Sequence, residues 1–219
     1  NQRARADKPD WMSPRMAWRA IQSALPKNAI ISSDIGNNCA IGNAYPSFDE
    51  GRKYLAPGLF GPCGYGLPSI VGAKIGQPEV PVVGFAGDGA FGIAVNELTA
   101  IGRDEWPAIT QIVFRNYQWG AEKRNSTLWF DDNFVGTELD TKVSYAGIAQ
   151  ACGLNGVQVK TMDDLTAVLN QAIKDQMENN KTTLIEVILN QELGEPFRRD
   201  AMKKPVQVAG VVAADMAAE

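Results

Sequence analysis

The sequence predicts an α/β fold in which a parallel sheet is covered by helices on both faces. Three observations predict it. Four short runs rich in Val and Ile each end in polar residues or Gly, helical periodicities lie between them, and 219 residues at 45% hydrophobic content suffice to bury one core.

The elements follow in order. The chain starts at Asn1, and the polar stretch from Gln2 to Asp10 reads as a linker, so residues 1–12 are expected to be entered from a further upstream region. Ser13 before Pro14 is a cap and first-turn signal, after which Ala17, Ile21, Ala24 and Leu25 share one helical face until Pro26. Buried parallel strands are expected over residues 29–32, 80–86, 109–114 and 183–189. A helix carrying Val95, Leu98 and Ile101 should follow the second strand. Another covers 144–151 and stops at Gly153, and a third carries Leu165, Val168, Leu169, Ala172, Ile173 and Met177 after the acidic start Asp163-Asp164. Residues 13–195 form one domain, and 196–219 form a tail whose Ala-rich end, from Val208 to Glu219, is expected to fray. Ligands of such sheets sit at the carboxyl ends of the strands.

Composition excludes several functions. A net charge of -4 offers no basic field for nucleic acid, since the basic cluster from Arg198 to Lys204 is interrupted by Asp200. No apolar run approaches the roughly 20 residues that cross a bilayer. Cys39, Cys63 and Cys152 are odd in number and far apart, which fits unpaired thiols in a reducing cytoplasm. The absence of histidine removes a Ser-His-Asp triad and any imidazole metal ligand from this chain.

The second strand runs directly into Gly87-Asp88-Gly89-Ala90, which opens a helix. Glycines let the backbone approach an anion, and the free N–H groups and dipole of a helix start favour negative charge, with Gly89 and Ala90 as the best donors. Asp88 would repel a diphosphate unless a cation lay between them, so it argues for bound Mg²⁺. Magnesium wants about six oxygen ligands. Asn116, 28 positions beyond Asp88 at the end of the next strand, offers a second side-chain oxygen. A lone Gly-Asp-Gly is as readily a tight turn; the pair is the stronger signal.

In spacing and context this pair resembles the motif of the thiamine diphosphate enzyme family. The resemblance implies that Asp88, Asn116 and the main-chain oxygen of Gln118 hold Mg²⁺. Arg115-Asn116 stands where many members have Asn-Asn, a departure that leaves the ligand position intact. Two more segments match the family: residues 33–38, with Gly36, Asn37 and Asn38 toward the diphosphate, and residues 58–68. In the second, the Gly61 carbonyl would face the aminopyrimidine and Cys63 would lie beneath the ring. A helix cap is the lesser alternative for the Asn-rich segment, and Cys63 could equally be a small buried hydrophobe. Gly87, Trp119 and Gly120 complete the expected cofactor contacts, and Tyr117 and Trp119 are candidates for lining a substrate cavity.

Over nearly the whole chain, including the runs GDGAFGIAVNELTAIG, SSDIGNNCAIGNAYPSF and NQELGEPFRRDAMKKP, the sequence resembles the C-terminal portion of the sulfoacetaldehyde acetyltransferase family. That resemblance implies cleavage of sulfoacetaldehyde by phosphate to acetyl phosphate and sulfite, with thiamine diphosphate as electron sink. Two anionic substrates call for cations, for which Lys123, Arg124, Arg198 and Arg199 are available, although each taken singly reads more readily as a solvated surface charge and none is assigned to the site. The resemblance places the activating glutamate in a pyrimidine-binding domain of the same or a partner subunit of a homo-oligomer, and no catalytic residue is assigned here. The alternatives are the cofactor-binding subunit of a two-chain decarboxylase or oxidoreductase, and a non-catalytic module, against which intact Asp88, Gly89 and Asn116 speak. A nicotinamide-binding fold is disfavoured, because no strand leads into Gly64-Tyr65-Gly66.

Overall fold

A computed structural model describes residues 11–193, with the backbone alone for Leu128; the tail over 196–219 and residues 1–10 of the expected 1–12 linker lie outside the described residues, and Met12, at the linker's end, is instead buried in the core. Six parallel strands form one sheet: β1 (Ile30–Ser33), β2 (Tyr54–Leu55), β3 (Val82–Gly87), β4 (Thr110–Arg115), β5 (Asn155–Val159) and β6 (Thr183–Ile188), in the order β2-β1-β3-β4-β6-β5. The four strands read from the sequence are β1, β3, β4 and β6, the four central ones, each within two residues of its expected bounds. The two edge strands carry too little apolar sequence to announce themselves. β2 has two residues, and β5 begins with Asn155-Gly156, residue types depleted in strands.

Strand side chains alternate between faces, and both faces are covered. Val83, Phe85, Ile112, Phe114, Ile185 and Val187 pack on one side with Trp18, Ile21, Leu165 and Leu169 from α1 (Pro14–Ala24) and α8 (Met162–Asn179). Val82, Ala86, Ile109, Val113 and Leu184 pack on the other with α3 (Gly66–Gly76), α4 (Asp88–Ala94), α5 (Leu98–Ile101) and α7 (Tyr145–Ala151). α2 (Asn37–Gly42) and α6 (Gly120–Trp129) complete the set.

The caps act as the sequence predicts. Ser13 accepts from Met16 N at 3.2 Å, with Pro14 in the first turn, and Ser144 accepts from Gly147 N at 3.1 Å. The helix expected after the Gly-Asp-Gly turn is broken, however. α4 ends at Ala94, a 3₁₀ turn spans Val95–Glu97, and α5 follows, so Leu98 and Ile101 reach the core while Val95 lies at its margin.

Trp18 ties this frame to the ligand edge. Its ring centroid lies 4.7 Å from that of Phe85 and 5.2 Å from that of Phe114, and its Nε1–H donates to the Asn38 carbonyl at 2.8 Å. One buried side chain thus fixes α2 against the central strands.

Candidate functional site

The carboxyl ends of β1, β3 and β4 open into one cleft. Four segments line it, and every expected cofactor contact falls within them. Gly36, Asn37 and Asn38 come from the start of α2; Gly61 and Cys63 from the loop before α3; Gly87, Asp88, Gly89 and Ala90 from the turn into α4; and Asn116, Gln118, Trp119 and Gly120 from the turn into α6. Ile35, Ala121 and Glu122 also line it and were not foreseen. Three helix starts therefore meet at one place, each presenting first-turn N–H groups that have no partner within their own helix.

Local backbone explains the glycines. Gly36 caps α2 with φ of 128°, a conformation that side chains resist, so no Asn side chain caps this helix. A Cβ on Gly89 would sit 2.7 Å from the Trp119 ring, so the indole closes over the turn only because Gly89 has no side chain.

Asp88 is buried, and its two oxygens differ. Oδ2 accepts from Tyr117 N at 2.6 Å and Arg115 Nη1 at 3.1 Å, whereas Oδ1 accepts from Gly89 N at 3.0 Å. Burial pushes the Asp88 carboxyl up to about 6, although the Arg115 guanidinium pulls it down. The sequence argument that Asp88 needs a cation is thus met in part by a protein group, since Arg115 already faces it.

Two other acceptors have no such partner. Asn116 Oδ1 and Gln118 Oε1 are buried and without a hydrogen-bond partner among the described residues. A buried acceptor left unpaired costs about 1–3 kcal/mol, which a cation or a ligand donor would relieve. Gln118 opposes Glu138 in an antiparallel bridge flanked by the bonds from Trp119 N to Thr137 O and from Leu139 N to Tyr117 O. Its own main-chain N–H and C=O consequently face away from the 137–139 segment. These donors suit a hard cation that prefers oxygen.

Asp34 was passed over in the sequence, yet it organises the second loop. Its carboxylate accepts from Ile35 N at 2.8 Å, Gly64 N at 3.2 Å and Gly66 N at 2.7 Å. A short polar side chain at a strand end before a glycine-rich loop was the available signal. Burial raises the Asp34 carboxyl, and the three N–H donors oppose that shift.

Other expectations fare differently. Tyr117 does not line the cleft. Its φ of 60° turns the ring toward Trp11, at 6.3 Å between centroids, and over the Arg115 guanidinium at 4.2 Å. Lys123 pairs with Glu138 at 2.5 Å, so its charge is already engaged. Arg198 and Arg199 lie outside the described residues. Cys63 is half-buried with its thiol raised by desolvation, and Cys39 is buried with its thiol pushed up to about 12, so neither has the character of a nucleophile.

Fold and cleft together define a parallel α/β domain that presents a Gly-Asp-Gly turn and an orphaned asparagine oxygen to a ligand at its carboxyl edge. The family described as "Thiamine pyrophosphate enzyme, C-terminal TPP binding domain" matches residues 34–187, and the chain belongs to it, with thiamine diphosphate as its cofactor. Among individual proteins, it is 82% identical to a sulfoacetaldehyde acetyltransferase of Roseovarius nubinhibens over 99% of this chain and 36% of that protein. Identity to one of Castellaniella defragrans is 43%, over 91% of this chain and 33% of the relative. The chain spans about a third of the length of these curated relatives. A 4-hydroxybenzoylformate decarboxylase structure from Rhodococcus jostii shares the fold with a TM-score of 0.72 at 24% identity, covering 82% of this chain and 33% of that one.

Proposed function

We propose that this chain is the diphosphate- and Mg²⁺-holding domain, residues 13–195, of a sulfoacetaldehyde acetyltransferase. The single observation that carries the site is the buried, unpaired Asn116 Oδ1 in the same cleft as Asp88. Asp88 and Asn116 side chains and the Gln118 main-chain oxygen would hold Mg²⁺, which would neutralise the diphosphate beside the Asp88 carboxylate. Thiamine diphosphate, when bound, supplies the electron sink for breaking a carbon–sulfur bond.

The chemistry balances without an external oxidant. The C–S bond of sulfoacetaldehyde breaks with its electron pair leaving as sulfite, the former CH₂ gains a proton to become CH₃, and a phosphate oxygen bonds the former aldehyde carbon as that carbon gives up its hydrogen. This chain's part is to bind and orient. The starts of α2, α4 and α6 would offer N–H groups to the diphosphate, the Gly61 carbonyl would face the aminopyrimidine, Cys63 would lie beneath the ring, and Trp119, packed over Gly89, would shield the turn from water.

The activating glutamate is supplied by a pyrimidine-binding domain of the same or a partner subunit, in a homo-oligomer working in the cytoplasm, where the three free cysteines stay reduced. Leu59 and Phe60, fully exposed beside the cleft, support a covering domain there. The substrate reading is supported by 82% identity to a named sulfoacetaldehyde acetyltransferase.

The test is calorimetric titration of thiamine diphosphate with and without Mg²⁺, alongside phosphate-dependent sulfite release from sulfoacetaldehyde. Asp88→Ala and Asn116→Ala should each abolish the metal-dependent part of binding. Unchanged affinity in both would refute the ligand assignment, and sulfite release that does not require phosphate would refute the substrate reading.

A further inference from the structure

Behind the cleft lies a charge cluster that cofactor contact does not explain. Arg115, Asp88 and Glu186 are each 1% exposed, and Arg115 is not among the residues lining the cleft. The guanidinium donates from Nη1 to Asp88 Oδ2 at 3.1 Å and from Nη2 to the Asp140 carbonyl and to the Val143 carbonyl at 3.1 Å, while Nε, without a hydrogen bond, faces Glu186 Oε1 as an ion pair at 3.7 Å. Tyr117 and Tyr145 lie against it, at 4.2 and 5.3 Å from its carbon to their ring centroids.

Glu186 is itself fixed, accepting from Ser144 Oγ at 2.9 Å, from Tyr145 N and Ala146 N at 3.2 Å each, and from Gln158 Nε2 at 3.3 Å. Tyr145 closes the circuit by donating its hydroxyl to the Asp88 carbonyl at 2.8 Å. Taking three charges out of water is costly, and apolar residues of similar volume often serve stability as well or better. Stability is therefore a poor reason for this cluster to exist.

Its geometric consequence falls on Asp88. Arg115 and the Tyr117 N–H fill Oδ2, whereas Oδ1 accepts only from Gly89 N and keeps one lone pair for the cleft. A carboxylate restricted to one oxygen suits a small octahedral cation that keeps several waters, whereas a large cation seeks six to eight oxygens and commonly takes both from one carboxylate.

We propose that Arg115, braced by Glu186, is a positioning residue that holds Asp88 as a one-oxygen ligand and so makes the cation site selective for Mg²⁺ over Ca²⁺. The proposal rests on the metal site proposed above. Lysine could not replace it, because a point charge cannot bond Asp88 and two carbonyls at once as a planar fork does.

The experiment titrates Mg²⁺ and Ca²⁺ separately at fixed thiamine diphosphate, by calorimetry, into the assembly that includes the pyrimidine-binding domain. Wild type is compared with Arg115→Met, Arg115→Lys and Glu186→Gln, each checked for its unfolding midpoint. Removing a group that orients a metal ligand weakens metal binding by about 10–100-fold. Here the loss should fall on Mg²⁺, moving the Mg²⁺/Ca²⁺ affinity ratio toward Ca²⁺ by about tenfold in Arg115→Met and by less in the other two.

Should Arg115→Met fail to fold, Arg115→Lys carries the test, since it retains the buried positive charge. Equal losses for both metals, as general loosening would give, or an unchanged ratio in the folded variants, overturns the proposal. Wild type without metal-dependent binding overturns the metal site instead, so the two failures are distinguishable.

Discussion

At the scale of single residues, the site depends on a few side chains with no freedom to move. Gly89 is the sharpest case, because a Cβ there would meet the Trp119 ring at 2.7 Å. Forcing atoms into a packed site destabilises the fold by about 1–3 kcal/mol, so Gly89→Ala should lower the unfolding midpoint by about 2–4 °C per kcal/mol and, by displacing the turn or the indole, weaken metal-dependent thiamine diphosphate binding about tenfold. Calorimetry with a thermal melt checks this, and unchanged affinity would mean that the indole swings away freely. Asp88 and Asn116 were legible in the sequence because each ends a strand beside its own turn. Arg115 was legible only as a departure from pattern. Its partners Asp140, Val143 and Glu186 come from distant segments, and no local spacing announces them.

At the scale of elements, the loop before α3 is the part most dependent on one anchor. Asp34 holds Gly64 N and Gly66 N, and these bonds fix the path of the chain that carries Gly61 and Cys63 into the cleft. Hydrogen bonds to a charged group contribute about 1.5–3 kcal/mol each. Asp34→Ala should therefore speed amide hydrogen exchange at Gly64 and Gly66 by about tenfold or more, and leave exchange in β3 and β4 unchanged. Protection retained at both amides would show that the loop is held by something else. Legibility also varied by element. α1 and α8 carry apolar stripes over their buried faces and were readable. α3, with a proline and three glycines in eleven residues, and α6, GAEKRNSTLW without a stripe, were not. Their formation is decided by docking on the sheet rather than by their own pattern.

At the scale of the whole molecule, the proposed function calls for a second domain over the cleft. Leu59 and Phe60 stand fully exposed beside the cleft, an apolar surface that such a domain would cover. The 219-residue chain by itself should bind thiamine diphosphate weakly and release no sulfite. Adding the pyrimidine-binding domain should restore phosphate-dependent turnover. Full activity of the chain alone, in a sulfite-release assay, would remove the need for a second domain.

The sequence by itself determined the alternation of strand and helix, the four central strands, and the Gly-Asp-Gly and Asn pair, because each is a local pattern of apolar period, glycine or cap chemistry. The tertiary structure alone decided which strands are neighbours, where the edge strands join, that Tyr117 turns away from the cleft, and that Asp88 shares its charge with Arg115. Those outcomes depend on contacts between residues far apart in the chain, and buried pairing energies come into existence only once the sheet has brought its strand ends together.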